Sequence, residues 1–162
     1  MNYNEFLETK KKRIIESGFD VENLNDQLFP FQSFIVRRAL KKGKYAIFAD
    51  CGLGKTFMQI EWAHRVVLHT GKPVLILAPL AVAGQTIKEG ERFGIDICKF
   101  DNPVHLIHIA NYEQLDNIDC SIYAGIVLDE SSILKNYEGK IKTQIIDSFK
   151  FTPYKLACTA TP

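Results

Sequence analysis

Two glycines, a lysine and a threonine fall within five positions in the stretch Ala49-Asp50-Cys51-Gly52-Leu53-Gly54-Lys55-Thr56. The apolar run Tyr45-Ala46-Ile47-Phe48 precedes it and a segment of helical spacing follows. A strand, a glycine-bearing turn and a helix opening on Lys-Thr form a phosphate-binding loop. Backbone N–H groups at a helix start have no partners inside the helix, and the aligned peptide dipoles favour negative charge there. Gly52 and Gly54 lack the Cβ that would hold an oligophosphate away from the backbone. In this pattern Lys55 meets the β- and γ-phosphates and the Thr56 hydroxyl ligates Mg²⁺. The general pattern, G-x-x-x-x-G-K-[ST], has a glycine where this chain has Ala49.

A second candidate is Asp129-Glu130, delivered by the apolar run Ile126-Val127-Leu128. Nucleotide hydrolysis needs one carboxylate to hold Mg²⁺ and another to orient or deprotonate the attacking water. Asp129 suits the first task and Glu130 the second. An acidic pair after a strand also serves as a helix cap, so the pair alone leaves both readings open. Its company with a phosphate loop favours the catalytic one.

The elements that must position these residues can be read from periodicity. Residues 2 to 17 suit a helix stopped by Gly18, with Lys10-Lys11-Lys12-Arg13 a solvated face or a contact to nucleic-acid backbone. Gly18 to Leu28 reads as a loop. Pro30 opens a helix to about Lys42, with Phe31, Phe34, Ile35 and Leu40 as core contacts, and Gly43 ends it. A helix over Lys55 to Thr70 sets Phe57, Ile60, Ala63 and Val67 on one face, with Trp62 packed rather than presented to a base. Val74 to Ala78 is a continuous apolar strand, buried on both sides as in a parallel sheet. Further elements are a helix over Val82 to Phe93 closed by Gly94, strands over Ile95 to Phe100 and Val104 to Ala110, and a helical turn at Tyr112 to Leu115. A strand over Ile122 to Leu128, a helix over Gly139 to Phe149 and a strand over Tyr154 to Cys158 complete the chain. His105 and His108 would face opposite sides of a strand, which argues against a metal pair.

This alternation predicts a doubly wound α/β fold, mainly a parallel sheet with helices on both faces. Right-handed crossovers carry the C-terminal ends of such strands to one edge, where ligands gather. The phosphate loop, Asp129-Glu130 and Thr159-Ala160-Thr161 all follow strands and so meet there.

Bulk composition sets bounds. With 162 residues, 46% of them hydrophobic, the chain can bury one sizeable core. A formal charge of +1 neither requires a nucleic-acid partner nor excludes a local basic groove. The cysteines at 51, 98, 120 and 158 are too far apart for a zinc knuckle and read as reduced thiols. No apolar leader is evident, and the run Val74 to Ala83 is broken by Pro79 and too short to span a bilayer. A soluble, cytoplasmic protein without membrane attachment is expected.

From Phe19 to Pro162 the chain resembles the first RecA-like domain of a superfamily-two DEAD/DEAH-box helicase. It is most similar to the Snf-type branch and, within it, to helicase-like proteins of phages and prophages. Leu28-Phe29-Pro30-Phe31-Gln32 resembles the Q motif, which would give Gln32 the task of hydrogen-bonding adenine. Ala49 to Thr56 resembles motif I, where that family commonly has Ala first. Its ATP-binding residues would be Gln32, Gly52, Leu53, Gly54, Lys55 and Thr56, with Thr56 and Asp129 holding Mg²⁺. Leu77-Ala78-Pro79-Leu80 with Gln85 resembles motif Ia, and Ala110-Asn111-Tyr112-Glu113 the next strand-end segment. This places Pro79, Leu80, Gln85, Asn111 and Tyr112 on the nucleic-acid side. Asp129-Glu130-Ser131-Ser132 with Leu134-Lys135-Asn136 resembles motif II, with Ser at its third and fourth positions. Thr159-Ala160-Thr161 resembles motif III, which links hydrolysis to movement between domains.

Residues 1–28 are expected to form an N-terminal helix and connecting segment, and the resemblance implies 29–162 as the RecA-like domain. It also implies a second RecA-like domain beyond Pro162 that carries arginine fingers, worth about 10³–10⁵ in rate. The isolated chain is then expected to bind ATP–Mg²⁺ weakly and to hydrolyse it negligibly. The whole protein would be an ATP-dependent, DNA-stimulated helicase or translocase. Two other readings compete: a small phosphate-loop kinase, which would transfer phosphate unaided, and a non-catalytic docking module for nucleic acid or protein.

Overall fold

The computed structural model describes residues 15–135 and 139–161. Among the described residues six strands form one sheet, and every pairing in it is parallel. They are β1 (Lys44–Phe48), β2 (Val74–Ala78), β3 (Cys98–Lys99), β4 (Ile107–Asn111), β5 (Gly125–Leu128) and β6 (Tyr154–Thr159), in the spatial order β1-β6-β5-β2-β4-β3. All five residues of β2 are buried, as its unbroken apolar sequence requires of a strand covered on both faces. The register sets Phe48 beside Thr159 and Leu128 beside Ala157. The last strand in sequence therefore lies between the first and the fifth.

Helices α1 (Pro30–Lys42), α2 (Lys55–Thr70) and α3 (Ala83–Arg92) build the layer over one face. There Val36, Leu40, Met58, Ile60, Trp62 and Val66 pack on Ile47, Ile76, Val127 and Leu156. Helix α4 (Lys140–Ser148) and 3-10 turns at Tyr112–Asn117 and Ser131–Lys135 cover the other face through Leu115, Ile145 and Phe149, packing on Leu75, Leu77 and Ile126. This is the doubly wound α/β arrangement expected from the alternation of elements. Helix α2 is enclosed by the sheet, α1 and α3, so every residue from Phe57 to Ala63 is buried, Trp62 fully. A helix covered nearly all round carries a wider apolar surface than one stripe.

Several boundaries differ from the sequence expectation. Phe31 and Phe34 are exposed, because α1 meets its neighbours through Gln32, Val36, Ala39 and Leu40, one turn apart on a different stripe. The strand expected over Ile95 to Phe100 is only Cys98–Lys99, an edge strand paired on one side. That expected over Val104 to Ala110 starts at Ile107, so His105 does not share the strand with His108. Ile122 belongs to a 3-10 turn, Cys120–Ile122, and β5 begins only at Gly125. Gly125 sits where a Cβ would come within 3.2 Å of Val66 and Val74, which explains a glycine at a strand start. Residues 15–17 carry no helix. The rest of the expected N-terminal helix, with Lys10 to Arg13, lies outside the described residues, as do Asn136 and Pro162.

Among the described residues no helix is long and apolar enough to cross a membrane. The four cysteines are free thiols.

Candidate functional site

Strand β1 hands the chain to the loop at Ala49, whose N–H donates to the Thr159 carbonyl at 3.2 Å. The loop then turns through Gly52 (φ 83°) and Gly54 (φ 75°), a backbone region that residues with a Cβ avoid. At Gly54 a Cβ would also lie 2.3 Å from the Gln32 amide nitrogen, whereas Gly52 faces open space. Helix α2 starts at Lys55 with no side chain capping its first turn, so its leading N–H groups remain available to an anion. The Lys55 ammonium donates to the Ala49 carbonyl at 2.9 Å and stands 3.9 Å from Glu130 Oε1. Lysine and acid come from opposite sides of β6, brought together by the strand order.

Asp129 follows β5 and is buried. Its N–H donates to the Leu77 carbonyl at 2.8 Å, and its own carbonyl accepts from the Tyr112 hydroxyl at 2.7 Å. Its Oδ1 accepts twice, from the Gln59 amide at 2.7 Å and from the Glu130 N–H at 3.0 Å. Glu130 adopts φ 48°, the one left-handed residue other than glycine among those described. Such a conformation costs about 1–3 kcal/mol in a residue with a Cβ. Here it turns the chain from β5 into the 3-10 turn, where Ile133 N–H donates to the Glu130 carbonyl. The Cys158 thiol, deep on β6 beside Asp129, is pushed up by burial and further by the aspartate's charge, so it stays protonated.

Gln32 is 4% exposed, and its amide is engaged at both ends. Oε1 accepts from the Phe29 N–H at 2.9 Å and Nε2 donates to the Leu53 carbonyl at 3.0 Å, so the side chain braces the phosphate loop against α1. Beside it lies an open groove of about 410 Å³ whose walls include Phe29, Phe31, Leu53, Arg92 and Phe93. The Phe29 and Phe31 rings are nearly parallel, 6.2 Å apart. Phe29 is 63% and Phe31 44% exposed beside the loop, whereas the sequence places Phe31 among the core contacts.

The other predicted residues divide by location. Thr159 is buried at the end of β6, and its Oγ1 accepts from the Thr161 N–H at 3.1 Å, which folds Ala160 into a tight turn beside the loop. Pro79, Leu80 and Gln85 follow β2 and Asn111 ends β4, on the same sheet edge but beyond β5. Leu80 and Asn111 line a groove of about 230 Å³ there with Gly84 and Lys99. Gln85 is exposed. Tyr112 is 1% exposed, so its side chain has no surface for a nucleic acid, and its hydroxyl instead anchors the backbone of Asp129.

Gln59 and the Tyr112 hydroxyl are the side-chain hydrogen-bond partners of Asp129 that sequence reasoning missed. A signal existed for the first. Gln59 is a polar residue on the apolar, buried side of α2, where an amide must find a partner. Nothing in the sequence alone says that the partner is Asp129. The donor set suits Mg²⁺, a hard cation that takes oxygen ligands through one or two carboxylates plus phosphates. Asp129 spends Oδ1 on two N–H donors and keeps Oδ2, and Thr56 adds a hydroxyl at the start of α2.

No protein-family model and no curated relative matches this sequence. Solved structures do resemble it. The UvsW helicase from bacteriophage T4 superposes with a TM-score of 0.72 at 13% identity, covering 99% of this chain and 61% of that one. The Sulfolobus solfataricus SWI2/SNF2 ATPase core, in complex with dsDNA, gives 0.72 at 23% identity over 89% of this chain and 34% of its own. The Pyrococcus furiosus Hef helicase domain gives 0.70 at 20% identity over 84% and 34%. The chain thus spans between about a third and three fifths of the length of these structures. At these identities the likeness establishes the fold: a RecA-like domain as found in helicases.

Proposed function

We propose that this chain is the ATP-binding domain of a nucleic-acid-dependent ATPase, a helicase or translocase that also uses a second RecA-like domain. The observation that carries the reading is the meeting of Lys55 with Glu130 across β6, with Asp129 fixed beside them. The loop amides and Lys55 would bind the β- and γ-phosphates, and the groove at Phe29, Phe31 and Gln32 would receive the base. Thr56 and Asp129 would hold Mg²⁺, which when bound neutralises charge on the phosphates. Glu130, its carboxylate partly open to solvent, would orient the attacking water and take its proton. Thr159-Ala160-Thr161, tied to the loop through Ala49, would report the state of the γ-phosphate to the second domain.

Nucleic acid, taken to be DNA, would lie along Pro79, Leu80, Gln85 and Asn111, on the half of the edge beyond β5. The likeness to a dsDNA-bound SWI2/SNF2 core and to a phage helicase supports the Snf-type and phage assignment that the motifs suggest. The protein would work in the cytoplasm. The arginine fingers of the second domain would supply most of the rate, so the isolated chain would be nearly inactive.

The test is ATP hydrolysis by a longer protein containing both domains, with and without DNA, beside Lys55→Ala and Glu130→Gln. DNA-stimulated hydrolysis lost in both variants is expected. Equal activity in all three proteins overturns the proposal.

A further inference from the structure

Gln59 lies one turn beyond Lys55 on α2, at 1% exposure, with Met58 and Ile60 as its buried neighbours in sequence. A primary amide in such surroundings is retained only if its hydrogen bonds are made. It donates Nε2–H to Asp129 Oδ1 at 2.7 Å, a charge-assisted bond. The Glu130 N–H adds a second donor to the same oxygen. We propose that Gln59 is a positioning residue that occupies Oδ1 of Asp129 and so leaves Oδ2 as the oxygen offered to Mg²⁺ of a bound nucleotide.

The geometry gives this clamp a purpose beyond stability. Two N–H donors on one oxygen fix the rotation of the carboxylate, as partners behind a metal ligand commonly do. Helix α2 carries Lys55, Thr56 and Gln59 within little more than its first turn. One rigid element therefore sets the phosphate-facing N–H groups, the hydroxyl ligand and the orientation of the carboxylate together. Tyr112 holds the same residue from the other face of the sheet by its carbonyl. The carboxylate and its backbone are fixed independently.

The inference rests on the proposed ATP–Mg²⁺ site, and its test separates the two. ATP binding to wild-type chain, Gln59→Met and Gln59→Glu is titrated by calorimetry, once with excess Mg²⁺ and once with EDTA, and each protein's thermal melting is recorded. Met keeps the length and removes the donor; Glu also removes the donor and sets a carboxylate against Asp129. The expected result is a loss of about tenfold or more in the Mg²⁺-dependent part of the affinity, the scale of lost second-layer contacts. Binding in EDTA stays within twofold for Gln59→Met. Unchanged Mg²⁺ dependence in both variants overturns the role of Gln59 while leaving the site intact. Equal losses with and without Mg²⁺ also overturn it, since they mark a general structural role. A wild-type chain whose ATP binding ignores Mg²⁺ overturns the underlying site and the inference with it.

Discussion

The Lys55 ammonium lies 3.9 Å from Glu130 Oε1 and 2.9 Å from the Ala49 carbonyl, so the lysine is held by its own loop. The shorter contact is the hydrogen bond, and the longer is a loose ion pair with a partly exposed partner. In the proposed site a triphosphate would draw Lys55 away from Ala49, replacing a neutral acceptor with an anionic one. Bonds to charged acceptors contribute about 1.5–3 kcal/mol. Lys55→Ala should therefore weaken ATP by roughly 10- to 100-fold in calorimetry. An unchanged affinity would mean that the lysine never leaves the Ala49 carbonyl.

Glu130→Gln should keep nucleotide binding and reduce hydrolysis in a protein that also carries the second domain. A positioned base contributes about 10²–10⁴ in rate, and glutamine retains the size but not the basicity. Steady-state phosphate release, compared with binding of a fluorescent ATP analogue, separates the two effects. Loss of binding with hydrolysis would show the carboxylate acting on the ground state instead.

Gly54→Ala should abolish nucleotide binding and lower the melting temperature together. The left-handed backbone costs a residue with a Cβ about 1–2 kcal/mol. The new methyl would also displace the Gln32 amide that braces Leu53. Gly52→Ala meets no neighbour, so it should melt closer to wild type while still obstructing the phosphates. Similar melting of both variants would contradict the bracing role of Gln32.

The cysteines offer a probe of the loop. Cys51 is exposed within it, whereas Cys158 is fully buried and its thiol is held in the protonated form by burial. Alkylation followed by mass spectrometry should label Cys51 well before Cys158, and ATP with Mg²⁺ should slow labelling of Cys51. Labelling that ignores the nucleotide would place the phosphates elsewhere.

Acid should destabilise the fold through His108. Its Nε2–H donates to the His105 carbonyl at 2.8 Å, so neutral Nδ1 accepts from the Tyr123 hydroxyl, also at 2.8 Å. Burial lowers its pKa below the ordinary 6.5, against a smaller upward pull from the His105 carbonyl. The unfolded chain then binds more protons than the native one between the two values. Stability is full above about pH 6.5 and is lost as pH falls through that window, levelling below the native pKa. Melting curves across this range should show the loss, and His108→Asn should flatten it. An equal slope in the variant would assign the effect to other groups.

How much of this was legible in the sequence depends on the range of the interaction. Lys55 and Thr56 could be placed because a glycine turn between a strand and a helix is a local pattern. The parallel sheet followed from Val74 to Ala78, whose unbroken apolar run admits few other settings. Gln59 and Tyr112 could not be assigned, because Gln59 meets Asp129 only through the order β1-β6-β5 and Tyr112 only through the order β5-β2-β4. Phe31 and Phe34 misled for a related reason: α1 rests on α2 through Val36, Ala39 and Leu40, and helical periodicity does not say which stripe a neighbour will cover.

In the proposed site Lys55, Thr56 and Asp129 would grip the phosphates and their magnesium together. The most direct measurement is ATP affinity with and without Mg²⁺ for wild type, Lys55→Ala and Asp129→Asn. Mg²⁺ is expected to strengthen wild-type binding, Asp129→Asn to remove that strengthening alone, and Lys55→Ala to weaken binding under both conditions. Wild-type affinity indifferent to Mg²⁺ and to both substitutions would contradict such a site.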